Sequence, residues 1–144
     1  MKANNLMKVS FYSRSANEGF ARGALAAFLA QMDPTVPELA DVKTAVSEAV
    51  TNCIVHAYPN QMGLVYMTVA LYDGGMIKIT ISDKGVGITD VEKAMQPMFT
   101  TGNPEERAGL GFAVMQSFMD KVKVSSKPGK GTKVVMTKTL KPRE

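Results

Sequence analysis

Apolar positions recur along the chain with two periods, near two and near 3.6, and each change of period marks an element boundary. LMKVSFYS (6–13) alternates and predicts a first strand. NEGFARGALAAFLAQM then repeats apolar residues at helical spacing through Phe20, Ala24, Ala27 and Phe28, with Ser15 or Asn17 as its expected N-cap. Pro34 and Pro37 interrupt that pattern, and a second helix is expected from about Glu38 to Ala57, stopping before Pro59. LVYMTVALY (64–72) and MIKITISD (76–83) read as strands joined by the short turn DGG. Ile77, Ile79 and Ile81 alternate with Lys78, Thr80 and Ser82, so one face is expected to be buried and the other wet. VKVSS and TKVVMTKTL form a similar pair around KPGKG. Between the two pairs lie a glycine-rich segment, a polar loop and the helix GFAVMQSFMDK. The expected fold is α+β: a two-layer α/β sandwich with a mixed, mostly antiparallel sheet and helices on one face, as one domain over 1–144.

Composition refines this only at the margins. Hydrophobic residues make up 45% and charged residues 21% of the 144 positions, enough to bury an ordinary globular core. Eleven methionines and no tryptophan imply a core filled by aliphatic and thioether side chains. The single cysteine excludes an intrachain disulfide and a Cys-based zinc cluster, which fits a reducing cytoplasm. No apolar run reaches the length of a membrane span, and MKANNLMKVSF lacks a signal-peptide core, so no membrane partner is expected. The net charge is +4, but lysines are spread along the chain and concentrate only in KPGKGTK and KTLKPRE. That spread predicts a solvated basic surface with no direct nucleic-acid contact.

The chemistry begins in SEAVTNCIVHAYPN (47–60). Leu39, Val42, Val46, Ala49, Val50 and Cys53 form one apolar stripe, and Glu48 and Asn52 stack on the opposite side, one turn apart. Asp83-Lys-Gly-Val-Gly87 follows directly on a strand; its glycines allow a sharp turn and a flat ligand's close approach, and the Asp83 carboxylate suits an exocyclic amine. A plain strand-to-loop turn is the competing reading. Arg107-Ala-Gly109-Leu-Gly111 is expected to open a helix whose free amides and dipole favour a phosphate, with the Arg107 guanidinium in reach of the same anion; a plain loop-to-helix junction is the competing reading. Familiar phosphate loops are missing: Gly129-Lys-Gly-Thr132 leads into a strand rather than a helix, and Gly109-x-Gly111 lacks a third glycine. The one histidine, His56, projects near Asn52, and a packed helix-end role is expected for it.

The order Glu48-x-x-x-Asn52, Asp83-x-Gly85-x-Gly87, Gly109-x-Gly111 and Gly131-Thr132 resembles the N, G1, G2 and G3 boxes of the GHKL (Bergerat) ATPase/kinase superfamily. SEAVTNCIVHAY, SDKGVGITD, QPMFTT, ERAGLGFAVMQSFMD and NEGFAR further resemble the anti-sigma-F family of small serine-protein kinases from endospore-forming bacteria. The resemblance implies Mg²⁺ ligation by Asn52 and adenine recognition by Asp83, with Gly85 in the same box and Gly87 close to the base. It implies phosphate binding by Arg107, Gly109 and Gly111 at the end of an ATP lid over about 96–108. Thr132 falls beside the adenine-reading aspartate, and Glu48 falls on the general base. It further implies a cytoplasmic homodimer that binds ATP or ADP, inhibits sigma factor F, and phosphorylates a STAS-type anti-anti-sigma factor on serine, with Arg22 on the docking surface. The alternatives are the kinase of the general-stress sigma system and a nucleotide-gated sigma-binding module without phosphotransfer.

Overall fold

The computed structural model of the protein describes residues 2–95 and 104–142, with the backbone alone for 104–109. The segment 96–103, most of the expected lid, lies outside the described residues. In chain order the elements are β1 (Asn5–Tyr12), α1 (Ala16–Leu29), α2 (Val36–Asn52), β2 (Leu64–Leu71), β3 (Met76–Asp83), α3 (Val91–Met95), α4 (Pro104–Phe118), β4 (Lys121–Lys127) and β5 (Gly131–Thr139).

The strands form one sheet in the order β1-β2-β3-β5-β4, and every ladder is antiparallel. The sheet is thus not mixed among the described residues, for a topological reason. α1 and α2 together return the chain to the end it left, so β2 runs against β1. β3 and β4 point the same way, but β5 inserts between them and separates the one pair that would be parallel.

Ile77, Ile79 and Ile81 are buried as their alternation predicts, and Met67 and Met136 flank them from β2 and β5. Leu25 and Leu29 of α1 and Val46 and Val50 of α2 close the core from above. Both thioethers are fully buried, consistent with methionine as the residue that fills irregular gaps.

Helix starts differ from the expectation in instructive ways. Neither Ser15 nor Asn17 caps α1: Ser15 makes no side-chain cap bond, and the Asn17 amide donates to the Tyr12 carbonyl, tying the helix to β1. α2 begins at Val36, with Pro37 inside its first turn. Thr35 accepts from the Glu38 amide at 3.2 Å while the Glu38 carboxylate accepts from the Thr35 amide at 2.8 Å, a reciprocal capping box. Thr35-x-x-Glu38 carried that signal; proline's tolerance in a first turn outweighed its role as a breaker. At its other end α2 widens into a π-helical turn over Cys53–Ala57.

Candidate functional site

The polar back of α2 does not face solvent. α4 crosses it, and a Cβ placed on Gly111 would lie 3.2 Å from both Asn52 Nδ2 and Glu48 Oε2. With glycine there the two helices approach closely, and an alanine would make these two polar groups give by a few tenths of an ångström. Glu48 and Asn52 are therefore half-buried between α2 and α4, and Asn52 Nδ2 is buried with no hydrogen-bond partner among the described residues. A buried, unpaired amide costs free energy unless water or a ligand supplies its partner.

The second polar anchor comes from the end of β3. Asp83 is 8% exposed, and its Oδ1 accepts from the amides of Gly85 (3.0 Å) and Thr132 (3.2 Å). These bonds lock the carboxylate's orientation. The Cys53 thiol faces it from the π-turn; burial first, and then the Asp83 charge, push that thiol well above its ordinary pKa, so it stays protonated. Between the two anchors lies a small cavity of about 50 Å³, lined by Asn52, Cys53, His56, Asp83, Gly87 and Phe112 among others. Its few polar groups on an apolar wall are the kind of lining that orients a planar heterocycle.

The glycines here are set by close backbone packing. A Cβ on Gly85 would sit 2.1 Å from the Ala57 carbonyl oxygen, which accepts from the Val86 amide at 2.8 Å. Gly87 has φ +77° and would drive a Cβ into the Lys127 carbonyl. Gly131, at φ +92°, would meet the Asp83 carbonyl at 2.1 Å. Gly87 also lines the cavity, so packing and ligand approach act at the same position. Thr132 reaches Asp83 through its backbone, while its hydroxyl pairs with Ser126 at 2.9 Å. Ser126 also accepts from the Ile88 amide at 2.7 Å, which stitches the loop after β3 to the β4–β5 hairpin.

Gly109 and Gly111 do not open a helix, as the sequence suggested. α4 starts at Pro104, so both glycines lie within it and their amides are not free end groups. The reason is local: Pro104 is well suited to a first helical turn, and residues 105–108 continue the helix. The side chain of Arg107 lies outside the description. Arg22 projects from α1 with its side chain 46% exposed and its Nε 3.0 Å from Glu18 Oε1. Glu18 also accepts from the hydroxyl of Ser47, the residue before Glu48. Cys53, Phe112 and Ser126 were not singled out as site residues by the sequence. Cys53 adjoins Asn52, but only the π-turn aims it at Asp83.

Among the described residues no group of three or more His, Cys, Asp or Glu side chains gathers to hold a metal. The donors beside Gly111 are instead a carboxamide and a carboxylate. A carboxamide oxygen such as that of Asn52 is a hard ligand that fits Mg²⁺, which usually takes one or two protein oxygens and completes its shell with water and phosphate.

The model of the histidine kinase-like ATPase domain family matches residues 11–138. The chain is 59% identical over 140 residues to the anti-sigma F factor of Caldanaerobacter subterraneus subsp. tengcongensis, spanning 97% of each chain. It is 50% identical over 136 residues to the anti-sigma F factor of Clostridium beijerinckii, spanning 94% of this chain and 95% of the relative. Among solved structures, the crystal structure of RsbU and RsbW domains from Mycobacterium tuberculosis shares the fold at a TM-score of 0.69 and 18% identity, over 95% of this chain and 32% of that one.

Proposed function

The chain belongs to the histidine kinase-like ATPase domain family and, within it, to the anti-sigma F factors, and from that premise we propose that it is a Mg-ATP-dependent serine kinase. In this reading it holds sigma factor F as a homodimer and phosphorylates a STAS-type anti-anti-sigma factor. The observation that carries the nucleotide reading is the unpaired Asn52 amide at the rim of the cavity that holds Asp83.

Each residue has a separate task. Asp83, fixed by two backbone amides, accepts from the exocyclic amine of adenine. Ala49, Ile81 and Phe112 supply the apolar wall against the base. Asn52 would hold the metal through its carboxamide oxygen, and the metal would neutralise phosphate charge. Glu48 takes the proton of the attacking serine hydroxyl as the new O–P bond forms and the bond to the β-phosphate oxygen breaks, releasing ADP. Arg107 is assigned to the phosphates, while Gly111 lets α4 lie close to Asn52, and loss of the γ-phosphate alters what Arg107 holds.

The test separates phosphotransfer from simple nucleotide-gated binding. Glu48→Gln should bind ATP with near-normal affinity and lose phosphorylation of the anti-anti-sigma protein by about a hundredfold or more. Normal phosphorylation by that variant removes Glu48 from the mechanism. Failure of wild-type protein to phosphorylate the partner while still binding sigma would leave the binding module as the answer.

A further inference from the structure

The lysines that look scattered in sequence are gathered by the sheet. The helices cover one face; the open face carries rows defined by the strand register. One row runs Lys121–Thr137–Lys78, from β4 through β5 to β3. The next runs Lys123–Val135–Thr80–Thr68–Lys8 across all five strands. A third places Lys133 beside Ser125 and Ser82. No strand position on this face is an Asp or Glu. The nearby carboxylates of Asp73 and Asp120 sit at the ends of strands, where they accept from the Asn4 amide group and the Thr139 amide.

One part of this face is concave. Tyr72, Met76, Lys78, Lys121, Lys123 and Val135 are among the residues lining an open groove of about 320 Å³. Lys121 and Lys123 are two residues apart on one strand, hence about 7 Å apart on the same side. The Tyr72 ring and the Met76 thioether line the same groove at the end of these lysine rows, and offer a stacking surface next to the ammonium groups. An acidic protein segment would use the lysines but has no need of the ring.

We propose that this groove binds single-stranded nucleic acid, with Lys78, Lys121 and Lys123 on the phosphates and Tyr72 stacking on a base. The groove lies across the sheet from the nucleotide cavity and does not depend on the kinase reading.

The test is fluorescence anisotropy of a labelled 20-nucleotide oligothymidylate titrated with the full chain. Binding at 50 mM KCl should weaken roughly twentyfold at 200 mM, the loss expected when about three phosphates are neutralised on a single strand. The triple change Lys78→Glu, Lys121→Glu and Lys123→Glu should abolish binding. The same charge reversal at Lys43, Lys93 and Lys141, on the opposite layer or the chain end, should retain most of it. Tyr72→Ala should weaken binding about tenfold, near the value of one stacked base. No binding at 50 mM KCl overturns the proposal, as does equal loss in both triple variants. Tighter binding of poly-L-glutamate than of the oligonucleotide at equal charge assigns the face to acidic protein and overturns it too.

Discussion

At the scale of single residues, the site depends on what one glycine omits. Gly111 lets α4 rest on Glu48 and Asn52, and Gly111→Ala puts a methyl group 3.2 Å from both. Alanine is the better helix former by about 1 kcal/mol, so the variant should melt no lower than the parent. Its ATP affinity should nevertheless fall about tenfold, because the methyl occupies the space of the polar groups' ligand. Calorimetric titration beside thermal denaturation checks this; parallel losses of both would mean a packing defect instead. The buried Cys53 thiol gives a pH prediction. Its folded pKa is raised, so the native state keeps a proton that the unfolded chain loses above about pH 8.5. Stability should be full below that pH and decline as pH rises. Cys53→Ala should flatten the decline in alkaline denaturant melts.

At the scale of elements, α2 is held at both ends by features that periodicity does not reveal. Thr35→Ala removes one half of the capping box and should cost about 1 kcal/mol in urea denaturation. The Thr35 amide, followed by the Lys141 amide, lowers the Glu38 pKa. That contribution is present above the ordinary carboxylate range near pH 4.3 and is lost as pH falls through the folded value. Acid denaturation of Glu38→Gln should therefore be shallower than that of the parent. The π-turn at the other end brings Cys53 to Asp83 and puts the Ala57 carbonyl against Gly85 and Val86. Strands were legible almost to the residue, since alternation is a strong local signal: MIKITISD is β3 over its full length. The π-turn was not, because widening a helix by one residue per turn answers to its tertiary neighbours.

At the scale of the whole molecule, the docking reading rests on α1. Arg22 pairs with Glu18 on an exposed surface, so Arg22→Ala should change stability by less than about 0.5 kcal/mol. It should weaken capture of both sigma factor and anti-anti-sigma protein about tenfold while leaving ATP affinity intact; unchanged capture of both would remove α1 from the interface. β1 forms one edge of the sheet, and Leu6 and Tyr12 on its open side are 50% and 57% exposed. The sequence by itself determined the strands, the apolar stripe of α2 and the ordered set of Glu48, Asn52, Asp83 and the paired glycines, because periodicity and residue chemistry are local properties. Only the tertiary structure decided that α4 would cover the polar side of α2, that Cys53 would meet Asp83, and that dispersed lysines would share one face. Those outcomes depend on which strands become neighbours and on how closely two backbones approach, and neither is written in any single window of the chain.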